Sequence, residues 1–368
     1  MSEVFYRKFR PDQFSKIVGQ DAAIAILRNS CVKEQFHHAY MFAGASGGGK
    51  TSCARILATA VNCENREKGS PVICGKCRSC VSIREDAAVD VREMDGSSQG
   101  GKDEINKVIE SSMFSPSSMK KRIFIIDESH KLTSAAWASL LKPTEEPESH
   151  VIFIFCTSEY SQIPTTVASR FRRINFRPIP EPTIADYLSK LASHLKNNLK
   201  KDIPECDAEV YQQIAMMCGG NMRTALSYLE SMILVADSGT HIDIGFARDF
   251  LGLVGRDVLY DLIDAIADKK TGLALDIMIS LSETAPDYGQ VCIEMGNIFR
   301  NVMHASAGVT GVIRASEMEM GRIVSVSKKI PVSRSCLFSG MFAEAIRAFE
   351  VNSDKRWVLE SLVARLTE

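Results

Sequence analysis

A glycine-rich loop, Gly44-Ala-Ser-Gly-Gly-Gly-Lys50-Thr51, followed closely by Cys63, Cys74, Cys77 and Cys80, constrains this chain more than any other feature. The loop satisfies G-x-x-x-x-G-K-[ST] at every fixed position, and its surroundings are those the pattern requires: the apolar Ala39–Ala43 before it and a helix-prone stretch from Ser52 to Ala60 after it. A strand, a phosphate-binding turn and a helix are therefore expected. Glycines let backbone N–H groups turn toward phosphate oxygens, and the following helix adds the positive end of its dipole. Gly44, Ala45, Ser46, Gly47, Gly48 and Gly49 form the cradle, Lys50 reaches the β and γ phosphates, and Thr51 offers a hydroxyl to Mg²⁺. The implied ligand is ATP.

The rest of a hydrolytic site should stand on neighbouring strands. Arg122-Ile-Phe-Ile-Ile-Asp127-Glu128 reads as a buried parallel strand with two carboxylates at its end. Alone this is an acidic turn after a core strand. Behind a complete phosphate loop, Asp127 is assigned to Mg²⁺ and Glu128 to the attacking water. A further apolar strand, Val151–Cys156, leads into Thr157 and Ser158 at the same edge, where ligands sit in open parallel sheets.

Four thiolates at C-x₁₀-C-x₂-C-x₂-C spacing match a closed tetrahedral Zn²⁺ site with no open position, hence structural metal. The competing reading is one helix-end core cysteine and three free thiols. Cys31, Cys53, Cys156, Cys206, Cys218, Cys292 and Cys336 are expected to be small core residues. With eleven cysteines and no secretory segment, the expected setting is reducing, and cytoplasmic. No apolar run approaches membrane-helix length, so no membrane partner is expected. A net charge of −1 gives no global field for nucleic acid; a DNA contact would need a local cationic surface.

Strand and helix signals alternate from Ala39 to about Phe176 and stop at the proline-dense Arg177–Pro182. Beyond, helices are expected at Ile184–Leu199, Ala208–Met217 and, capped by Asn221, Met222–Glu230; after Asp237–Gly239 others follow at Val258–Ile266, Leu273–Leu281, Val291–Met303 and Met341–Phe349. Three domains result: a nucleotide-binding domain at 1–178 carrying the cysteine insert at 63–80, a small helical lid at 179–242 and an all-helical domain at 243–368. Arg170, after the Val151–Cys156 strand, and Arg223, opening a lid helix, read on position alone as solvated side chains.

Tyr6-Arg-Lys-Phe-Arg-Pro11 with Val18-Gly-Gln20, His37-His-Ala-Tyr40, the cysteine set, Asp127-Glu-Ser-His130, Leu140-Leu-Lys142 with Glu145-Glu-Pro147, Ser169-Arg170 and Gly220-Asn-Met-Arg223 together resemble the gamma/tau subunits of the bacterial DNA polymerase III clamp loader. The match is dense over residues 1–230 and looser beyond. That resemblance implies an α/β P-loop AAA+ domain with a parallel sheet, a small helical lid and an all-α collar that closes a pentamer. It also implies a γ-phosphate sensor at Thr157, an arginine finger at Arg170 serving a neighbour's ATP, Arg223 on the chain's own nucleotide, and zinc on Cys63, Cys74, Cys77 and Cys80. The implied activity is that of an ATPase motor, not a polymerase: ATP binding opens a sliding clamp and engages primer-template DNA, and hydrolysis releases both. Implied partners are other loader subunits, the clamp and the DNA. The tail by which the long form is thought to hold polymerase is not in this sequence, so a polymerase contact is not assigned to these residues. The alternatives are a non-hydrolysing structural loader subunit, disfavoured by the intact loop, and another AAA+ remodeller such as a branch-migration motor, disfavoured by the cysteine insert and the Ser-Arg pair.

Three departures stand out. Phe171 replaces the family's usual Cys after Ser-Arg. Pro143, which lacks a backbone donor, is expected to end or kink its helix. Asp95-Gly-Ser-Ser-Gln99-Gly-Gly-Lys102 carries no Arg where relatives place one near DNA, leaving Lys102 or backbone N–H groups for any phosphate contact.

Overall fold

The computed structural model describes residues 4–198, 204–236, 241–252, 255–283, 287–313, 315–351 and 354–368. Leu199 and Asp237–Gly239 lie outside them. The chain forms two compact units, Met1–Ile242 and Asp243–Glu368.

Five parallel strands form the centre of the first unit: β1 (Ala39–Ala43), β2 (Val91–Asp95), β3 (Arg122–Asp127), β4 (Val151–Thr157) and β5 (Arg172–Asn175), in the order β2-β3-β4-β1-β5. Alternate β4 residues serve opposite faces. Ile152, Ile154 and Cys156 join Leu27, Cys53 and Leu57 from the Asp21–Lys33 and Lys50–Asn62 helices. Val151, Phe153 and Phe155 join Ile105, Trp137 and Leu140 from the Lys102–Ser112 and Ser134–Glu145 helices. Both faces are covered, which is why these strands read as continuous apolar runs rather than alternating ones. β5 could not be read that way, because of Arg172-Arg-Ile-Asn only Ile174 is buried.

The helices Glu181–Asn198, Ala208–Met217 and Met222–Val235 complete this unit. The first begins inside the proline-dense segment, with Pro182 in its first turn, where a missing N–H costs nothing. The Ser134–Glu145 helix ends two residues after Pro143, which sits in its last turn and takes one N–H from the ladder. The Thr144 hydroxyl donates back to the Leu140 and Leu141 carbonyls at 2.8 and 2.9 Å.

In the second unit helices pack around Phe299, Phe338 and Phe342. Arg256–Ala267, Thr271–Ser282, Tyr288–Ser306 and Val332–Val351 extend the expected segments. Ile244–Phe250, Glu317–Ser327 and Lys355–Thr367 were not expected; the second had a readable signal, the capping box of Ser316 and Glu319. Two cysteines depart from the core reading: Cys206 is half-buried and Cys336 lies exposed beside exposed Leu337.

Candidate nucleotide site and thiolate cluster

At the carboxyl end of β1 the chain turns through three glycines at positive φ: Gly44 at 152°, Gly47 at 71° and Gly49 at 93°. Side chains are excluded there for a second reason. A Cβ on Gly44 would lie 2.0 Å from the Phe176 carbonyl oxygen, and one on Gly47 1.7 Å from Asn221 Oδ1. Lys50 is buried, and its Nζ donates to the Gly44 and Ala45 carbonyls at 2.8 and 3.0 Å, so its charge is held over the loop.

Thr51 Oγ1 donates to Asp127 Oδ2 at 2.7 Å, joining the loop to the end of β3. Asp127 Oδ1 accepts from the Glu128 N–H at 2.9 Å. Glu128 itself has φ 44°, a left-handed conformation uncommon for a residue with a Cβ and concentrated at functional sites. Its carboxylate accepts from Ser158 Oγ at 3.0 Å. In-register pairing of β2 with β3 sets Asp95 beside Asp127, and a Cβ on the next residue, Gly96, would lie 2.7 Å from the Glu128 carbonyl oxygen. Lys102 is exposed beyond that turn.

These groups open onto a pocket of about 920 Å³, open solvent at its mouth included. Ser46–Ser52, Asp127 and Glu128 form its polar floor, and Arg223 reaches it from the Met222–Val235 helix. The remaining wall escaped sequence reasoning. Tyr6, Phe9, Arg10 and Pro11 come from the amino-terminal segment, Ile17 and Val18 from the next turn, and Ile179, Tyr187, Met222 and Leu226 from the helical part. The motifs that carry the family resemblance gave a signal for the first set, for Val18 and for Met222, but Ile17, Ile179, Tyr187 and Leu226 are ordinary residues that only the fold gathers. Arg223 Cζ lies 5.8 Å from the Tyr6 ring centroid, and the Phe5 N–H donates to Glu230 Oε2 at 3.0 Å, so the amino-terminal segment is strapped to that helix. Burial, then the positive field of Arg55, lowers the pKa of Arg10.

Thr157 is fully buried at the end of β4 and does not line the pocket; its Oγ1 accepts from the Glu159 N–H at 3.0 Å. Arg170 lies outside the pocket as well. Its guanidinium donates to Glu145 and to the Thr166 carbonyl, while Phe171 beside it stacks on Phe155 at 4.8 Å between ring centroids. Phe171 thus anchors the turn that presents Arg170.

The sulfurs of Cys63, Cys74, Cys77 and Cys80 all lie within 4.8 Å of one another, with Cys77 to Cys80 at 3.3 Å and Cys74 to Cys80 at 3.8 Å. Bonds of ~2.3 Å to a tetrahedral centre require sulfurs about 3.8 Å apart, so the donor set fits Zn²⁺. The Cys77 N–H points at Cys74 Sγ at 3.3 Å, and the Lys76 N–H, the largest influence, brings the Cys74 thiol down to about 6, whereas burial pushes the Cys63 and Cys80 thiols up. N–H groups aimed at a sulfur favour its thiolate. Gln13 fastens the insert by exchanging bonds with Ile73, and Lys120 Nζ donates to the Cys63 carbonyl at 2.8 Å. None of the four cysteines lines the nucleotide pocket.

Sheet order, loop and carboxylates together define a P-loop nucleotide-binding protein of the AAA+ class. The chain is 33% identical to DNA polymerase III subunit tau of Bacillus subtilis over 86% of its length and 55% of that protein's. It is 30% identical to DNA polymerase III subunit gamma/tau of Mycobacterium tuberculosis, covering 98% of this chain and 62% of that one. The family described as DNA polymerase III, delta subunit, matches residues 19–180. It is also 31% identical to DNA polymerase III subunit gamma of Buchnera aphidicola, over 80% of this chain and 78% of that one. The chain belongs to the DNA polymerase III gamma/tau subunit family, and spans little more than half the length of the Bacillus and Mycobacterium relatives. Among solved structures, the Thermotoga maritima RuvB Holliday junction branch migration motor overlaps 70% of this chain and 79% of its own at 14% identity, with a TM-score of 0.48.

Proposed function

We propose that this chain is the ATP-hydrolysing motor subunit of a sliding-clamp loader in DNA replication. The observation that carries the reading is the 2.7 Å bond from Thr51 to Asp127 at the floor of the pocket, with Glu128 next to it. These two oxygens are the pair that would hold Mg²⁺, which supplies charge neutralisation between phosphates. Backbone N–H groups of Gly44–Thr51 and the Lys50 ammonium bind the phosphate chain, leaving the loop carbonyls that now occupy Lys50. Tyr187, Met222 and Leu226 exclude water from the other end of the nucleotide, and Arg223 brings a cation from the lid. Glu128 accepts a proton from the attacking water.

Arg170, which does not line its own pocket, acts on the nucleotide of a neighbouring subunit, and Thr157, buried and outside the pocket's lining, is assigned to the γ-phosphate by the family resemblance alone. ATP binding assembles a ring of loader subunits, a pentamer in this family, that opens the clamp and engages primer-template DNA; hydrolysis releases both. The thiolate cluster holds one Zn²⁺ in a structural role, and the protein works in the cytoplasm; no helix among the described residues is long and apolar enough to cross a membrane. The test is ATP turnover by the chain purified with its co-expressed partners, with and without clamp and primed DNA. Stimulation by both is expected. A complex that binds nucleotide but is indifferent to clamp and DNA would overturn the loader assignment.

A further inference from the structure

His130 is the one residue of the Asp127–His130 motif left without a task, and it is buried where two of the reaction's residues, Glu128 and Thr157, meet. It lies on the short helical turn Ser129–Lys131 after β3, which Ser129 pins to β4 by donating to the Cys156 carbonyl at 3.0 Å. The imidazole is 3% exposed, and its Nδ1 lies 3.2 Å from Thr157 Oγ1 and 3.5 Å from Glu128 Oε2. Nε2 faces outward, 3.6 Å from Glu159 Oε1. Thr157 Oγ1 already accepts from the Glu159 N–H, and Glu128 Oε2 from the Ser158 hydroxyl.

A buried imidazole is ordinarily a satisfied core side chain, for which any neighbouring acceptor would serve. Here the same ring nitrogen faces both Thr157 and Glu128. With its proton on Nδ1 the ring donates to Thr157 and, more weakly, toward Glu128, and the Thr157 hydroxyl proton is free to donate elsewhere. With Nδ1 bare, the Thr157 hydroxyl donates into the ring and Glu128 keeps only Ser158. What Thr157 does with its proton therefore decides how firmly the Glu128 carboxylate is held.

We propose that His130 is a positioning residue for hydrolysis, its Nδ1 fixing the Glu128 carboxylate and making that orientation depend on the Thr157 hydroxyl. The inference rests on Glu128 as the residue that activates water. It requires that loss of Nδ1 slow the chemical step and spare binding, since misplacing a reacting group by about 1 Å costs up to ~10²-fold in rate.

The experiment uses the chain in its co-purified complex, with ATP affinity and saturated turnover measured separately. His130→Ala is expected to lower kcat about tenfold to hundredfold, with nucleotide Kd and KM within about twofold. His130→Asn, whose amide nitrogen falls near the Nδ1 position, should recover most of that loss; His130→Gln, which matches Nε2 instead, should not. Thr157→Val combined with His130→Ala should be about as slow as the slower single variant, because both act through one contact. Equal kcat for the Asn and Gln variants, parallel losses in affinity and kcat, or multiplying losses in the double variant would each overturn the proposal. If His130→Ala fails to fold, the Asn and Gln pair decides alone. Glu128→Gln run alongside separates the two readings: full turnover there removes both, whereas an inactive Glu128→Gln beside a fully active His130→Ala removes only this one.

Discussion

The thiolate cluster and the nucleotide pocket are both ligand sites in the same unit, yet they are built in opposite ways. Three of the four cysteines come from one turn, Cys74–Cys80, and the fourth ends the helix after the phosphate loop, so the geometry is set by a short stretch of backbone. The pocket draws on the amino-terminal segment, the loop, the end of β3 and the lid helices, and its parts are as distant in sequence as Tyr6 and Leu226. A local site can be read from spacing and fails when one ligand is lost. A distributed site is only partly readable, and it responds to anything that moves one of its walls.

The largest effect should come from a residue that lies outside the chain's own pocket. Arg170→Ala is expected to leave this chain's ATP affinity within about twofold and to cut turnover of the assembled complex about 10³-fold or more, the scale of an arginine finger. Arg223→Ala should instead weaken binding on the same chain. Mixing Arg170→Ala and Lys50→Ala subunits with clamp and primed DNA checks this directly. Full activity of a dilute monomer, with no recovery at any mixing ratio, would show that the pocket is complete within one chain.

Next in size are the residues at the floor. Lys50→Ala should abolish measurable ATP binding, whereas Glu128→Gln should preserve binding and lower turnover by about 10² to 10⁴. Zinc content should be unchanged in both, because neither residue supports the cysteine turn. A Glu128→Gln protein hydrolysing at the parent rate would leave the water without its assigned base.

These predictions concern the residues that a linear pattern could supply. Gly44–Thr51, Asp127 and the four cysteines were legible because each motif is contiguous or nearly so, and the structure brings Thr51 and Asp127 within hydrogen-bonding distance. β1, β3 and β4 were legible because central parallel strands are apolar on both faces. The pocket's apolar wall was not, since Ile17, Tyr187 and Leu226 look like any core residues until the fold faces them together. Nor was Asp90, wholly buried, where it accepts from the Ser117, Ser118 and Met119 N–H groups and pairs with Arg122 at 3.0 Å.

The cluster supplies the reverse test. The purified chain is expected to carry one Zn²⁺, and Cys77→Ser should lower metal affinity by more than the ~10–100-fold typical of outer-shell changes. Melting of the first unit should shift downward, with ATP affinity altered only a few-fold, since the cysteines lie outside the pocket. Elemental analysis with thiol alkylation measures it. A metal-free, fully folded chain with four alkylatable thiols in this stretch returns them to ordinary core and surface roles.

The smallest effect probes how far the pocket is a joint structure. Met222 is half-buried, follows the Asn221 cap of its helix and lines the pocket without carrying charge. Met222→Ala removes apolar wall and leaves the loop, Asp127 and Glu128 untouched, so the expected loss is about threefold to tenfold in ATP affinity, near the low end for one small apolar contact. Saturated turnover should stay within about twofold, since Glu128, which aligns water, follows β3 and is not carried by the lid helix. Because the residue is only half-buried, melting should move little, which separates a local loss of contact from general loosening. Equilibrium titration with ATP and with free triphosphate reads the difference: ATP should weaken and triphosphate should not. Equal weakening of both would mean that the lid helix grips phosphates through Arg223 alone, and that the apolar wall belongs to the protein core and not to the ligand.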